Sequence, residues 1–551
     1  MSETIPPALL VVPEGYETDR PDLMGRPVAN RGFMQGLIKY GGLETLYGYA
    51  PHAPAGAAPA GAAFERLARD LGATMPVRVI DRLQQLAELG GLDLRDPGLA
   101  VAARRRSFAG SHAYCLTGIT HTLADAFTMT ALADLVTAPV QPWDALVCTS
   151  RAAAAMVDGV LQAEEARLAQ RLGAGRFRRP LLPVIPLGVD AAQFARREEW
   201  RAAWRQRLGI GTEAVAALYV GRLSRHQKTH PLPMMAALGR AARTQPHPLH
   251  LILAGWWHHP PEEAIWREQA AALCPEVQLH VLDGREAAVR QEIWSAADMF
   301  AFLIDNIQET FGQAPVEAMA AGLPIVTTDW CGLRDSVRHG VDGILVPTLM
   351  APPGDGVNVA RGYSTGQLSY LAFLALTARL TAVDIGAAAE AFRVLAADPA
   401  LRRRMGASGE ALARDAFDWA AVIPQYRELW REQQAIRLAA GPAICDGAPD
   451  PRHMDPTQAF AAWPSRTFEL SLRLRPEPAA VNVDLSALLR FTAPALPDEP
   501  DEAEIAALLA ELHRRGEMPA RELVEALEPK RRAAGARAAL WLLRTGLVRV
   551  I

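Results

Sequence analysis

What this sequence lacks narrows it first. Its 551 residues hold five cysteines, an odd number, widely spaced at Cys115, Cys148, Cys274, Cys331 and Cys445 and without a Cys-x-x-Cys. That pattern is neither a disulfide framework nor a thiolate zinc site, so reduced, buried thiols are expected. Half of the residues are hydrophobic, yet no unbroken apolar run reaches the roughly 18 residues a membrane span requires. The opening MSETIPPALLVVPEGYETDR has no basic region followed by an apolar segment, so no secretory leader is expected and a cytoplasmic location is. Peripheral contact with an inner membrane stays open, although no basic amphipathic helix in the N-terminal region argues for it. A formal charge of -4 supplies no general basic footprint, and nucleic acid is not expected as a partner. No Asp-x-Asp stands at a predicted strand end to hold a divalent ion, and no metal site is expected.

What the chain does contain begins with a rhythm. A chain of this length exceeds one ordinary core and should divide into about three or four units, or two large ones with additions. Between residues 214 and 347, ALYVG (217–221), LHLILAG (249–255), VQLHVL (277–282), MFAFLI (299–304), LPIVTTD (323–329) and GILVP (343–347) read as buried strands. They are apolar, rich in β-branched residues and bounded by Gly, Asp or Pro. Helical patterns such as EEAIWREQAAAL and AAVRQEIWSAA lie between them, and this alternation predicts right-handed crossovers and a parallel sheet covered on both faces. Residues 1–195 repeat the alternation less cleanly. Helix patterns stand at ANRGFMQGLIKYGG and FERLARDLGA, strand patterns at HAYCLTG, DALVCTS and LPVIP, and a long helix at RAAAAMVDGVLQAEEARLAQRLGAG ends at glycine.

Two doubly wound α/β domains are therefore expected, 1–195 and 196–412, meeting at PLGVDAAQFARREEW. Ligands of such domains bind outside the carboxyl ends of the strands. Past residue 347, TLMAPPGDGVNVARGYSTGQ reads as loop, 413–436 as a helix, and 437–500, rich in Pro, Ala and Asp, as a linker with limited structure. The tail 501–551 reads as three short helices and a terminal strand, a winged-helix-like module. Its 9 Lys or Arg against 8 Asp or Glu favour protein interaction or self-association over DNA.

Two stretches carry candidate chemistry. In YVGRLSRHQKTHP a strand ends at Gly221, and Arg222 and Lys228 follow six positions apart in a loop leading to a helix. Two cations at the carboxyl end of a parallel strand suit a phosphate or diphosphate, Arg as a fork and Lys as a point charge. In DNIQETFGQAPVEAMAAGLPIVTTD, Glu309 lies in a loop and Glu317 about one turn inside the next helix. Pro315 fits that helix's first turn, and Gly312 permits a ligand to approach its free N–H groups. A glutamate among Ala, Val and Met on a helix over a sheet is costly without a partner. His121, in CLTGITHTLAD, also follows a predicted strand. Trp143 and Asp144 are expected to pack and cap, and Ser150 to open the next helix.

These motifs, in this order, resemble the retaining glycosyltransferases of family 4, which have the GT-B fold of two facing Rossmann-like domains. QETFGQAPVEAMAAGLPIVTTD resembles the family's Glu-x7-Glu signature, and VGRLSRHQK its Gly-Arg-Leu…Lys diphosphate loop. VIPLGVDAAQF resembles the interdomain segment, GLRDSVRHGVDGILVP the continuation after it, and FDWAAVIPQYRELW the closing helix that returns to the N-terminal domain. The resemblance implies an acceptor-side domain at 1–195 and a nucleotide-sugar domain at 196–412. Glu317 would then bond the ribose hydroxyls of a nucleotide sugar, and Glu309 the transferred sugar. Backbone around Gly221, Thr310, Phe311 and Gly312 would contact the donor. Arg222 and Lys228 would neutralise the departing diphosphate without a metal, and His121 would approach the donor sugar. GRPVANRGF would supply an acceptor-side loop with Gly25 and Arg26.

The reaction implied moves a sugar from a nucleotide-diphosphate sugar to a hydroxyl of a glycan, a lipid-linked glycan or another acceptor, in bacterial glycan or glycoconjugate synthesis. A sugar-nucleotide epimerase of the same architecture and a non-catalytic binding protein are the rival readings. The sequence departs from the family in having one extra residue between Arg222 and Lys228. It also has the polar DNIQ before Glu309, where donor or acceptor choice is expected, and the C-terminal extension.

Overall fold

The computed structural model describes residues 6–12, 15–16, 25–51, 57–257, 259–441, 450–478, 483–491 and 500–551. They belong to two compact units, Met1–Gly447 and Ala448–Ile551. In the first, β1 (Ala8–Leu10), β2 (Leu46–Tyr49), β3 (Val77–Ile80), β4 (Gly91–Asp93), β5 (Cys115–Ile119) and β6 (Ala145–Val147) make a parallel sheet in the order β3-β2-β1-β4-β5-β6. A second parallel sheet holds β7 (Val215–Val220), β8 (Leu249–Gly255), β9 (Val277–Asp283), β10 (Met299–Phe302), β11 (Ile325–Thr328) and β12 (Gly343–Val346), in the order β12-β11-β10-β7-β8-β9. Read from its other edge, the second order repeats the first. Each sheet therefore reverses direction between its first and fourth strands, and the carboxyl ends there are where open α/β sheets hold ligands.

The strands of the second sheet follow the sequence reading closely because most are apolar runs covered on both faces; β8 is buried along its whole length, while the edge strand β9 is only partly buried. The first sheet has strands of only three to five residues, too short to stand out as apolar runs. LPVIP is a correction. It runs beside β6 only through isolated bridges from Leu181 to Ala145 and from Val184 to Cys148, since Pro183 and Pro186 have no N–H to extend a ladder. TLMAPPGDGVNVARGYSTGQ is a second correction. Thr348–Met350 forms β13, paired antiparallel with β14 (Thr381–Val383). Between them stand the helices Val357–Ser364 and Tyr370–Ala378, held by Tyr363 stacked on Phe373 at 4.6 Å.

Two features tie the N-terminal half together. Arg106 and Asp144, both fully buried, form a two-pronged ion pair at 2.5 and 2.7 Å, and Asp144 also accepts from Leu116 N–H at 3.0 Å. Asp144 is thus an ion-pair partner rather than a helix cap, while Trp143 is buried packing and Ser150 caps the helix Arg151–Leu172 through Ala153 N–H. Removing one member of such a pair leaves a buried charge and costs about 3–5 kcal/mol.

The second feature is the helix Trp419–Ala440, which returns to this half. Asp418 caps it, accepting from Ala420 N–H at 2.8 Å and from Ala191 N–H at 3.0 Å. Trp419 lies flat on bare backbone: a Cβ at Gly188 would come within 2.4 Å of its ring and one at Gly36 within 2.7 Å. Farther along, Gln433 bonds Thr117, Leu116 and Trp143.

In the second unit β15 (Arg473–Pro476) is the central strand of an antiparallel sheet with β16 (Met518–Pro519) and β17 (Val548–Val550). The helices Glu502–Arg515, Ala520–Glu525 and Arg532–Arg544 accompany it. Because β15 falls inside 437–500, that stretch is not wholly a linker. Fully buried Leu474 alternates with Arg473 and Arg475, which pair with Glu517, a period-two pattern hidden in a Pro-rich composition. Residues 442–449, 479–482 and 492–499 of the expected linker lie outside the described residues. Cys115, Cys148 and Cys274 are buried and Cys331 partly so; Cys445 lies outside the described residues. Among the described residues no helix is long and apolar enough to cross a membrane.

Candidate active site

The loops after β7 and β10 flank the point where the second sheet reverses. After β7 the chain turns at Gly221 (φ +149°), and Tyr219 donates its hydroxyl to the Arg222 carbonyl at 3.1 Å. Arg222 Nη1 donates to Gln227 Oε1 at 2.8 Å. Backbone bonds from Lys228 and Thr229 to the Ser224 carbonyl, at 3.1 and 3.3 Å, close the loop. That closure sets the Lys228 ammonium 5.2 Å over the Phe302 ring and against the Glu309 carboxylate.

Glu309 Oε1 accepts from Gly312 N–H at 3.0 Å, while Oε2 takes Lys228. Burial opposes its charge, but Lys228 and the Gly312 and Phe311 N–H groups outweigh burial and hold the carboxyl below the usual range. Gly312, in the left-handed region at φ +87°, starts the helix Gln313–Ala320. A Cβ there would lie 2.5 Å from Leu333 Cδ2, so a side chain is excluded twice over.

Glu317, one turn on, accepts from Gln313 Nε2 at 3.1 Å. Burial raises its carboxyl to about 7, with Gln313 and the more remote Lys228 only partly opposing. The two glutamates thus differ in ionisation because Lys228 is spent on one of them. Phe311 is 2% exposed and its ring meets Phe417 edge-on at 6.1 Å. The Phe311 side chain therefore belongs to the core, while Thr310 is partly exposed.

On the facing half, His121 follows β5. Its Nε2 donates to the Arg95 carbonyl at 3.1 Å, which leaves Nδ1 as an acceptor. Burial, then the charges of Arg95 and Arg26, push its pKa down to about 3, so the ring is neutral at physiological pH. Arg95 is itself strained, at φ +52°, and lies over Phe33 at 3.5 Å. Gly25 and Arg26 open the helix Gly25–Tyr40 instead of forming a loop, because the helical pattern read from Ala29 runs back to them. Arg26 pairs at 3.4 Å with Asp96, beyond β4, and stays 44% exposed. Hydrogen bonds join the halves at the cleft: Thr122 Oγ1 donates to the Gln308 carbonyl at 3.2 Å, Ala126 N–H donates to the Tyr363 hydroxyl at 3.2 Å, and Arg151 binds Asp335 through its backbone N–H at 2.6 Å and Nε at 2.7 Å.

With these geometries in hand, residues 201–350 match the profile of the family described as "Glycosyl transferases group 1". The match covers the second sheet and the loops after β7 and β10. Curated relatives similar to the chain include the D-inositol 3-phosphate glycosyltransferase of Geodermatophilus obscurus, 33% identical over 192 residues, 33% of this chain and 40% of that protein. The protein of the same name from Corynebacterium efficiens is 27% identical over 274 residues, 48% of this chain and 55% of its own length. The chain therefore spans about half or less of these relatives. Among solved structures, that of Anabaena HepE in complex with UDP has a TM-score of 0.50 at 17% identity, covering 77% of this chain and all of the other. This likeness is one of fold, and the two parallel six-stranded sheets have the GT-B arrangement.

Within the matched stretch, two residues of the polar DNIQ, Asp305 and Asn306, are buried. Asn306, 1% exposed, donates Nδ2 to the His226 carbonyl at 2.7 Å and accepts Gln308 N–H on Oδ1 at 2.9 Å. Its carbonyl accepts Trp330 Nε1 at 3.1 Å. One asparagine thus fixes the diphosphate-type loop, the Glu309 loop and the segment after β11. Burial raises the neighbouring Asp305 carboxyl to about 6. Asn306 and Gln308 escape motif reading because their partners lie on other segments; the polarity of the stretch was the available signal.

Proposed function

We propose that the chain is a retaining, metal-independent glycosyltransferase that moves a sugar from a nucleotide-diphosphate sugar to a hydroxyl acceptor. The observation that carries this reading is the Lys228–Glu309–Glu317 arrangement at the reversal point of the second sheet, one carboxylate held charged by a lysine and the other near neutrality. Glu309 is suited to accept hydroxyl hydrogens of the sugar, and Glu317 those of the ribose. Arg222 and Lys228 supply positive charge where diphosphate charge develops, the kind of electrostatic stabilisation that commonly dominates transfer chemistry.

In the same-face step the sugar C1–O bond to the diphosphate breaks and a C1–O bond to the acceptor forms. The acceptor's proton passes to the departing diphosphate oxygen. No carboxylate nucleophile is needed, and Glu309, bonded to Lys228 and Gly312, is occupied as a binding group. Neutral His121 with a free Nδ1 suits a sugar hydroxyl donor. An epimerase would need a free acid and base pair at the sugar, and the intact Glu309, Glu317, Arg222 and Lys228 speak against a non-catalytic scaffold. The second unit is read as a winged-helix-like module for a protein partner or self-association.

The test is nucleotide release from a panel of UDP-, GDP- and ADP-sugars, with chelator present, with and without candidate acceptors, inositol phosphates and lipid-linked glycans included. UDP-sugars head the panel because UDP is bound in the Anabaena neighbour. Glu309→Ala and Arg222→Ala are each expected to lower turnover by at least about 100-fold with unchanged thermal midpoints. Full activity in both variants would overturn the site, and loss of wild-type activity with chelator would overturn metal independence.

A further inference from the structure

Among the described residues, two that are not glycine stand in the left-handed region of φ, Arg95 at +52° and Cys331 at +39°. Arg95 lies just beyond β4, at the reversal point of the first sheet, and no step proposed above uses it. A residue with a Cβ stays in that region only where its surroundings over-determine it, and such residues cluster at functional sites.

The surroundings of Arg95 hold it by main chain and by side chain. Leu94 N–H donates to the Thr117 carbonyl at 2.8 Å, and the Asp96 carbonyl accepts Ile119 N–H at 3.1 Å, so its two neighbours are bound along β5. Its own carbonyl is left outside that ladder and accepts from His121 Nε2 at 3.1 Å. Asp93 takes both ends of the residue, with Oδ1 accepting Arg95 N–H at 3.0 Å and Oδ2 standing 3.7 Å from Nη1. The guanidinium lies 3.5 Å over the Phe33 ring and 5.4 Å from the Tyr426 ring, and those two rings meet edge-on at 4.9 Å. It completes no hydrogen bond of its own, so the rings and Asp93 are its anchors. Both Asp93 and Arg95 are buried, where such contacts are little screened.

We propose that Arg95 is a positioning residue for His121: its clamped side chain holds the left-handed backbone, whose carbonyl fixes the ring with the proton on Nε2 and the acceptor at Nδ1. A carbonyl only accepts, and the other tautomer would set two acceptors against each other. Through Tyr426 the returning helix thus reaches the histidine at the cleft. The bearing on sugar transfer rests on the glycosyltransferase reading; the state of the ring does not.

Two substitutions separate backbone from side chain. Arg95→Ala and Arg95→Gly both remove the clamp and leave Asp93 without its cation, but at this φ alanine is strained and glycine is not. In the full chain with nitrogen-labelled histidine, the His121 signal is assigned by its loss in His121→Gln. The wild-type ring should be one tautomer, protonated at Nε2. Arg95→Ala should give a mixture, and Arg95→Gly should return the wild-type state. Donor hydrolysis, with water as acceptor, is followed on whichever nucleotide sugar the wild type turns over. Its kcat/KM should fall at least about tenfold in Arg95→Ala and recover for the most part in Arg95→Gly. Affinity for the matching nucleoside diphosphate, which has no sugar for His121 to meet, should stay within about twofold. If the unpaired Asp93 keeps either variant from folding, both are read in an Asp93→Asn background. A wild-type ring protonated at Nδ1, the same ring state in the alanine and glycine variants, or equal losses of kcat/KM in the two would each overturn the inference. Absence of nucleotide release from every donor in the wild type would overturn the glycosyltransferase reading instead, and the ring state would still decide the role of Arg95.

Discussion

Glu309 and Glu317 stand eight positions apart on one loop and helix, and a single lysine makes them chemically unlike. The consequence is a pH dependence that belongs to one residue. Glu317 is raised to about 7 by burial; in the proposed ribose-binding role it would accept from both hydroxyls best as the carboxylate, so nucleotide affinity should fall as pH drops below 7. For UDP the limiting expectation is about tenfold per pH unit below 7, measured by calorimetry between pH 6 and 8. Glu317→Gln, neutral throughout, reports the nucleotide's own titration; equal slopes in the two proteins would remove Glu317 from the ribose. The spacing of the two glutamates is legible in the sequence because both sit in one continuous motif. The roles of Asn306 and Gln308 are not, since each depends on partners brought together from separate segments.

At the scale of elements, legibility follows burial. Most strands of the second sheet are covered on both faces and announce themselves as apolar runs, whereas β1 and β4, three residues each, leave no periodic trace, and β15 is masked by prolines and arginines. One strand pair carries a titratable device of its own. His250 on β8 and His280 on β9 share a bond between Nδ1 and Nε2 at 2.9 Å, with rings stacked 7° from parallel. Such a bond needs one ring to accept, so a second proton breaks it. Burial, and then the His280 and Arg205 charges, lower His250 from the ordinary 6.5 to about 4 against the opposing Asp298 carboxylate, and burial lowers His280.

Because the folded pKa lies below the unfolded one, the unfolded chain binds more protons between these values. This pair's contribution is complete above about 6.5 and is lost as pH falls toward 4. Urea midpoints at pH 7.5, 6.0 and 5.0 should decline more steeply in the wild type than in His250→Leu, and parallel declines would exclude the pair as the source.

At the scale of the Met1–Gly447 unit, the halves are joined by few side chains. Asp335, on the nucleotide side, caps the first turn of the helix Arg151–Leu172 on the other side by taking both Arg151 N–H and Nε. Arg151 is 77% exposed, so the pair is expected to contribute no more than a cap does. Asp335→Asn should loosen closure by about 1 kcal/mol, read as faster hydrogen exchange at residues 151–154 with exchange in β7 and β8 unchanged. Unaltered exchange at 151–154 would mean that the contact does not hold the halves.

The hinge beneath this seam has a different character. Trp419 rests on Gly36 and Gly188, where any Cβ would intrude on its ring. Gly36 lies in the N-terminal half, Gly188 in the connector between halves and Trp419 at the start of the returning helix. These positions form one packed set. A chimera that exchanges the N-terminal half of this chain would have to carry Gly36 with it. A new half with any side chain at position 36 would meet the Trp419 ring, so the interchangeability of N-terminal halves is limited by this packing.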